Sequence, residues 1–128
     1  MAARMGVELT LSALQMAWRQ RRSAAGLLHH SDRGSQYTAQ RYQDLLKQQR
    51  CQVSMSGKGN CYDNAPIESF FGTLKTELVY HQHYQTRSEA RTDIFRYIET
   101  FYNRRRRHSA LGYQSPEQFE QAFYHSLN

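Results

Sequence analysis

Only two stretches of this chain pattern as strands, both short and both in its first half, and every segment after them patterns as helix. The first is Leu27-Leu28-His29-His30, a short apolar run after the turn signal at Gly26. It ends in the turn cluster Ser31-Asp32-Arg33-Gly34-Ser35, which places an acidic residue at the strand exit. The second is residues 52–55. Before the first strand, Leu9, Leu11, Leu14, Ala17 and Trp18 recur at helical spacing, and residues 19–22 give the basic end suited to a helix C-terminus. Between the strands, Tyr42, Leu45, Leu46 and Gln49 lie along one side of a second helix. The order is helix, strand, helix, strand, then helices only, so the chain is α/β with an all-helical C-terminal part.

Residues 56–60 hold two glycines in five positions, which predicts a mobile loop. Asp63 or Asn64 can then cap a helix that tolerates Pro66 in its first turn and turns Ile67, Phe71, Leu74 and Leu78 to one face. Thr86-Arg87-Ser88-Glu89 reads as a capping box, with Ala90, Ile94, Tyr97, Ile98 and Phe101 on one face of the helix it opens. Ser115-Pro116-Glu117-Gln118 opens a last helix in the same fashion, with Phe119, Ala122 and Phe123 expected to face inward.

Composition sets the partner class. The net charge is +6 and the pI near 9.6, a balance that suits a polyanion, because each phosphate neutralised by Lys or Arg releases a condensed counterion. A mean hydropathy of −0.84, with no apolar run near the roughly 20 residues that a spanning helix needs, argues against a membrane partner. Nothing behind Met1 to Met5 patterns as a signal peptide, so a reducing cytoplasm is expected, with Cys51 and Cys61 as thiols. Two cysteines at that spacing do not make a zinc site. Gly57-Lys58-Gly59 is too short for a phosphate-binding P-loop.

Asp32 at a strand end and Glu68 in the first turns of a helix are separated by 35 residues. Both supports are rigid, as a two-metal phosphoryl-transfer site requires. Magnesium takes hard oxygen ligands, so a few carboxylates and phosphate oxygens suffice. On the helix, Gly72 and Lys75 follow Glu68 at i+4 and i+7, beside the apolar stripe. A glycine there leaves room for a DNA backbone. His29 and His30 alternate to opposite strand faces and are not expected as ligands. Arg104, Arg105, Arg106 and Arg107, next to Tyr102 and His108, form a candidate DNA-backbone surface. Tyr97, Phe101, Tyr102, Phe119 and Phe123 are expected as helix-packing core.

Three motifs then carry a resemblance. They are His30-Ser31-Asp32-Arg33-Gly34-Ser35-Gln36-Tyr37, Ser56-Gly57-Lys58-Gly59-Asn60-Cys61-Tyr62-Asp63-Asn64-Ala65-Pro66, and Ile67-Glu68-Ser69-Phe70-Phe71-Gly72-Thr73-Leu74-Lys75. Together they resemble bacterial insertion-sequence transposases of the retroviral-integrase type, whose integrase core has an RNase H-like fold and an Asp, Asp, 35 residues, Glu signature. Residues 103–116 resemble the same family's C-terminal signature. The resemblance implies a partial RNase H-like fold, with residues 1–80 the C-terminal part of the catalytic core and residues 81–128 a helical extension of the same domain. It implies that Asp32 and Glu68 are catalytic and metal-binding, that Lys75 contacts DNA, and that Gly57, Lys58, Gly59 and Asn60 form the loop beside the active site. It further implies two Mg²⁺ or Mn²⁺ ions, and attack by water or a DNA 3′-hydroxyl on a phosphodiester of insertion-element ends and target DNA.

The family's first catalytic aspartate and first strands lie before the helix that begins near Leu9. Glu8, Asp44 and Asp63 are not placed to substitute. The expectation is an N-terminally truncated transposase, or a start codon assigned too late, with Leu27, Leu28 and Val53 deprived of sheet neighbours and an edge left open. Such a chain is expected to self-associate or to join full-length transposase. The rival reading is a remnant that binds DNA or transposase without chemistry.

Overall fold

Strand pairing in parallel dictates how the first half of the chain is wound. In the computed structural model, which describes residues 6–21, 25–58 and 60–127, β1 (Leu28–Ser31) pairs with β2 (Gln52–Met55), Leu28 opposite Gln52 and Ser31 opposite Met55. Arg22 and Gly59, expected at a helix end and in the glycine loop, lie outside the described residues. Parallel neighbours need a crossover. Here it is the single turn α2 (Ser35–Thr38) and the helix α3 (Gln40–Gln48), with α1 (Val7–Arg21) packed on both. The bond from Gln52 N–H to the Leu27 carbonyl (2.9 Å) and that from Ser56 N–H to the Ser31 carbonyl (2.9 Å) carry the ladder past both strand ends.

Helical spacing fills the core of this unit, residues 1–72. Leu11, Tyr42 and Leu46 are buried, and Val7, Leu14, Trp18, Tyr37 and Leu45 pack around them. Val7, Leu11, Leu14 and Trp18 are the i, i+4, i+7 and i+11 positions of one stripe, whereas Ala17, expected inward, is exposed. Leu46 is fully buried, which stabilises the fold by roughly 1.5–3 kcal/mol through lost water contact. Apolar side chains on both faces of the two-stranded sheet stay open. Leu28 is 61% exposed and Val53 42%, as expected of strands without further neighbours.

The turn from α3 into β2 uses backbone chemistry that propensity alone would not select. Arg50 has φ of 55°, its N–H bonds the Lys47 carbonyl (2.9 Å), and Cys51 N–H bonds the Leu46 carbonyl (3.0 Å). These are the two bonds of a Schellman cap, a position that usually holds glycine. Cys51 accordingly folds back onto the Leu46 cluster as an unpaired thiol, whose pKa burial raises.

In residues 73–128, the second unit, α5 (Arg87–Arg96) and α6 (Pro116–Ser126) start where the sequence places them. Ser115, 1% exposed, makes a complete capping box with Gln118. The box at Thr86 is shifted: Thr86 Oγ1 accepts the Glu89 N–H (3.1 Å), but Glu89 Oε2 takes the N–H of Gln85 (2.9 Å), one residue before the cap. α5 then widens into a π-helical turn at Tyr97–Tyr102, closed by Asn103 N–H on the Ile98 carbonyl (2.9 Å). Two expectations fail here. Phe119 and Phe123 are 47% and 54% exposed, and Phe101 is 43% exposed. Short elements in a small unit bury too little surface to cover every apolar stripe. Among the described residues, no helix is long and apolar enough to cross a membrane.

Replacing Arg50 with glycine relieves the left-handed backbone without touching the core. Arg50→Gly is expected to stabilise the chain by about 0.5–1 kcal/mol, measured as a higher midpoint in urea unfolding. An unchanged or lower midpoint would show that the Arg50 side chain contributes more than its backbone costs.

Candidate functional site

Each candidate carboxylate is placed by the end of a regular element. Asp32 follows β1 directly and is exposed, and its Oδ1 accepts the Gly34 N–H at 2.8 Å. This turn engages one carboxylate oxygen and aims the group. Gly34 has an ordinary φ of −57°, so it is not required for its backbone. It is required for space: a Cβ there would stand 2.8 Å from Asp32 Oδ1 and 3.3 Å from Gln36 Oε1.

Glu68 is exposed in the first turn of α4 (Ala65–Glu77). Asp63 and Asn64, expected as candidate caps of that helix, bond Gly57, Asn60 and Ser56 through their side chains. The chain enters it through a 3-10 turn, Cys61–Asn64, and the cap is Asn60, whose side chain accepts the Tyr62 N–H (3.1 Å). Starting the helical path one turn early moves the orphan N–H groups back to Asn60. Asp32 and Glu68 line one open groove of about 720 Å³, with His30, Tyr42 and Ile67 among its walls. A smaller pocket of about 390 Å³ shares Asp32 and Asn64 with it and carries Lys58 and Gly57. Lys75 is exposed on α4 two turns beyond Glu68, and a Cβ on Gly72 between them would meet nothing within 4 Å.

The other acids of this unit are engaged by neighbours, Asp63 among them although it also lines the groove. Asp63 accepts from Gly57 N–H (2.9 Å) and from Asn60 Nδ2 (3.0 Å). Asp44 accepts from Gln40 Nε2 (2.7 Å), and Glu8 pairs with Arg41. No group of three metal-ligating side chains occurs among the described residues. The groove thus offers two oxygen donors suited to a hard divalent cation.

The two histidines divide as strand alternation predicts. His29 Nε2 lies 3.0 Å from the Tyr42 hydroxyl, its ring edge-on to that residue. Burial lowers the pKa of His29 and pushes Tyr42 up to about 12. His30 turns the other way, with Nδ1 2.9 Å from Ser54 Oγ and Nε2 3.4 Å from Ser56 Oγ. Ser56 is what the sequence did not reveal. It is 4% exposed; its hydroxyl donates to Asn64 Oδ1 (2.7 Å), and its carbonyl accepts Arg33 Nε (2.9 Å). It therefore ties the Asp32 turn, the end of β2 and the entry to α4 together. A serine beside glycine reads as loop, so no signal in the pattern could have marked it.

The arginine run of the second unit is not uniform. Arg106 forks onto Glu77, with Nε at 2.9 Å and Nη2 at 2.8 Å from Oε1, and Tyr97 donates to the same carboxylate at 2.5 Å. The Arg106 hydrogen bonds hold the Glu77 pKa down, and burial, then the bond to Glu77, raises that of Tyr97. Arg106 also lies 5.8 Å from the Tyr102 ring centroid. Arg106 is thus engaged by Glu77, whereas its neighbours in the run are exposed. Arg104 reaches Glu117 only at 3.7 Å, and Arg105 and Arg107 are exposed.

Comparison with known proteins finds relatives over nearly the whole chain. Two family models, both described as integrase core domain, match residues 1–61 and 68–127. An uncharacterised 31 kDa protein of insertion element IS600 from Shigella sonnei is 55% identical over 124 residues, 97% of this chain and 46% of that protein. The transposase for insertion sequence element IS904 of Lactococcus lactis is 50% identical over 120 residues, 94% of this chain and 47% of its own length. Transposase InsF for insertion sequence IS3A of Escherichia coli is 48% identical over 120 residues, covering 94% and 42%. The chain thus spans about half the length of the curated relatives it matches.

Two outcomes are expected from this geometry. Gly34→Ala forces the Asp32 carboxylate off its present position, so Mn²⁺ affinity, read by electron paramagnetic resonance, should fall about threefold or more while the melting temperature moves little. Equal affinity would detach Gly34 from the site. Burial also lowers the pKa of both His29 and His108 from 6.5. The unfolded chain then takes up protons first, so stability is full above about pH 6.5 and falls as the pH drops through the folded values. Melts at about pH 7.5 and 5.5 should show the lower midpoint in acid, with a smaller gap in His29→Gln.

Proposed function

The chain belongs to the integrase core family of insertion-sequence transposases, and from that membership we propose that it is the part of a transposase catalytic core that carries two of the three acidic ligands. One observation supports this above the rest: Asp32 and Glu68, on rigid supports from different elements, line a single groove. Asp32 and Glu68 are the residues that would hold Mg²⁺ or Mn²⁺. A bound cation pair supplies activation of the attacking oxygen and stabilisation of the leaving one in phosphodiester cleavage and strand transfer.

The chain's own residues have narrower tasks. Asp32 is held ready by Gly34, so little reorganisation is needed on binding. Glu68 presents its carboxylate from the first turn of α4, where it also complements the helix dipole. Lys58 beside Asp32 and Lys75 along α4 neutralise DNA phosphates, and the second unit, taken by itself, offers the exposed cations Arg105 and Arg107 for the same purpose. The exposed Leu28 and Val53, one on each face of the open two-stranded sheet, suit self-association or pairing with a full-length transposase.

The second reading, a DNA-binding or transposase-joining chain without chemistry, is favoured by the lack of a three-ligand cluster among the described residues. Two titrations distinguish them. Mn²⁺ binding by the 128-residue chain should be weak, on the order of millimolar, and weaken about tenfold in Asp32→Asn and Glu68→Gln. Binding to a labelled duplex should fall steeply with salt, and Lys58→Ala or Lys75→Ala should each reduce the slope by about 1. Salt-sensitive DNA binding with Mn²⁺ affinity unaltered by either carboxylate variant would leave only the second reading.

A further inference from the structure

Gly57 and Asn60, in the stretch between β2 and α4, are bonded by one and the same carboxylate. We propose that Asp63 is a positioning residue that brackets this loop and holds Lys58 beside Asp32, where it meets a DNA phosphate; the DNA part rests on the reading of the groove given above.

The bonding is specific. Asp63 Oδ2 accepts the Gly57 N–H (2.9 Å) and Oδ1 accepts Asn60 Nδ2 (3.0 Å), so each oxygen takes one donor from the loop. Asn60 N–H in turn bonds the Gly57 carbonyl (3.1 Å), and its side-chain oxygen takes the Tyr62 N–H. Asn64, the next residue, accepts from the buried Ser56 at the loop's start (2.7 Å). Lys58 directly follows the bracketed Gly57 and lines the pocket that also contains Asp32.

Charge-assisted bonds of this kind are about twice as strong as neutral ones. Both donors, the Gly57 N–H and Asn60 Nδ2, belong to the loop, so the hydrogen bonds of the carboxylate act there. Two acceptors are needed for two donors, which an aspartate provides. An asparagine provides one and sets an amide N–H₂ against the other donor. Simple electrostatics makes the opposite demand, because a negative group beside a phosphate path weakens DNA binding. A carboxylate kept in that place is explained by the loop it holds.

That conflict gives the test. Trypsin cleavage after Lys58 and hydrogen exchange at the Gly57 amide are followed in the 128-residue chain, and duplex binding is followed by fluorescence anisotropy. In Asp63→Ala, cleavage and exchange should accelerate on the order of tenfold, with Asp63→Asn between it and the parent. DNA binding should weaken about as much as in Lys58→Ala, and the double variant should be no weaker than either single one. Unchanged cleavage and exchange in both Asp63 variants would overturn the bracket. Tighter DNA binding in Asp63→Ala and Asp63→Asn, with Lys58→Ala weakening both backgrounds alike, would overturn its link to Lys58. Failure of the groove reading shows elsewhere, as Mn²⁺ affinity indifferent to Glu68→Gln, and leaves the cleavage result standing.

Discussion

The bond from the Ser56 N–H to the Ser31 carbonyl, one step past the last strand pair, is the contact to which the rest of the site refers. It sets the end of β2 level with the end of β1, so the two chain exits leave the sheet side by side. Asp32 departs from one exit and the loop to α4 from the other. Once Ser56 is buried there, its hydroxyl and carbonyl must find partners, because an unpaired buried polar group costs about 1–3 kcal/mol. The partners are Asn64 and Arg33. The burial of one serine thus orders both sides of the carboxylate groove.

The same economy governs the acids. An exposed carboxylate is available to a cation when a neighbour leaves it charge and an oxygen. Asp63 has both oxygens taken by the loop, and Glu8 is paired with Arg41. Asp32 has one oxygen engaged by a backbone N–H, which orients it without neutralising its charge. The cations sort by the same rule. Arg106 is bound by Glu77 and lies beside Tyr102, whereas Lys58, Lys75, Arg105 and Arg107 are left at the surface.

Much of the element order was legible because it depends on short-range physics. The caps at Thr86 and Ser115, the α1 and α3 stripes and the two strands follow from side-chain period and local hydrogen bonding. The misses came where the answer depended on distant chain. Phe119 and Phe123 have the right spacing for a core, but spacing says which face is apolar and not whether anything covers it. Asp63 has the right chemistry for a cap, yet its two oxygens bond Gly57 and Asn60. The π-helical turn at residues 97–102 also had no signature in the pattern.

By itself the sequence determined the family, the pair Asp32 and Glu68, and the basic residues around them, because those rest on residue type and spacing along the chain. Only the tertiary structure decided that the two carboxylates share a groove, that Asp63 bonds the loop, and that Arg106 pairs with Glu77. Each of those facts is a choice of partner across space, and a side chain with several chemically adequate partners is assigned to one only when the backbone has been folded around it.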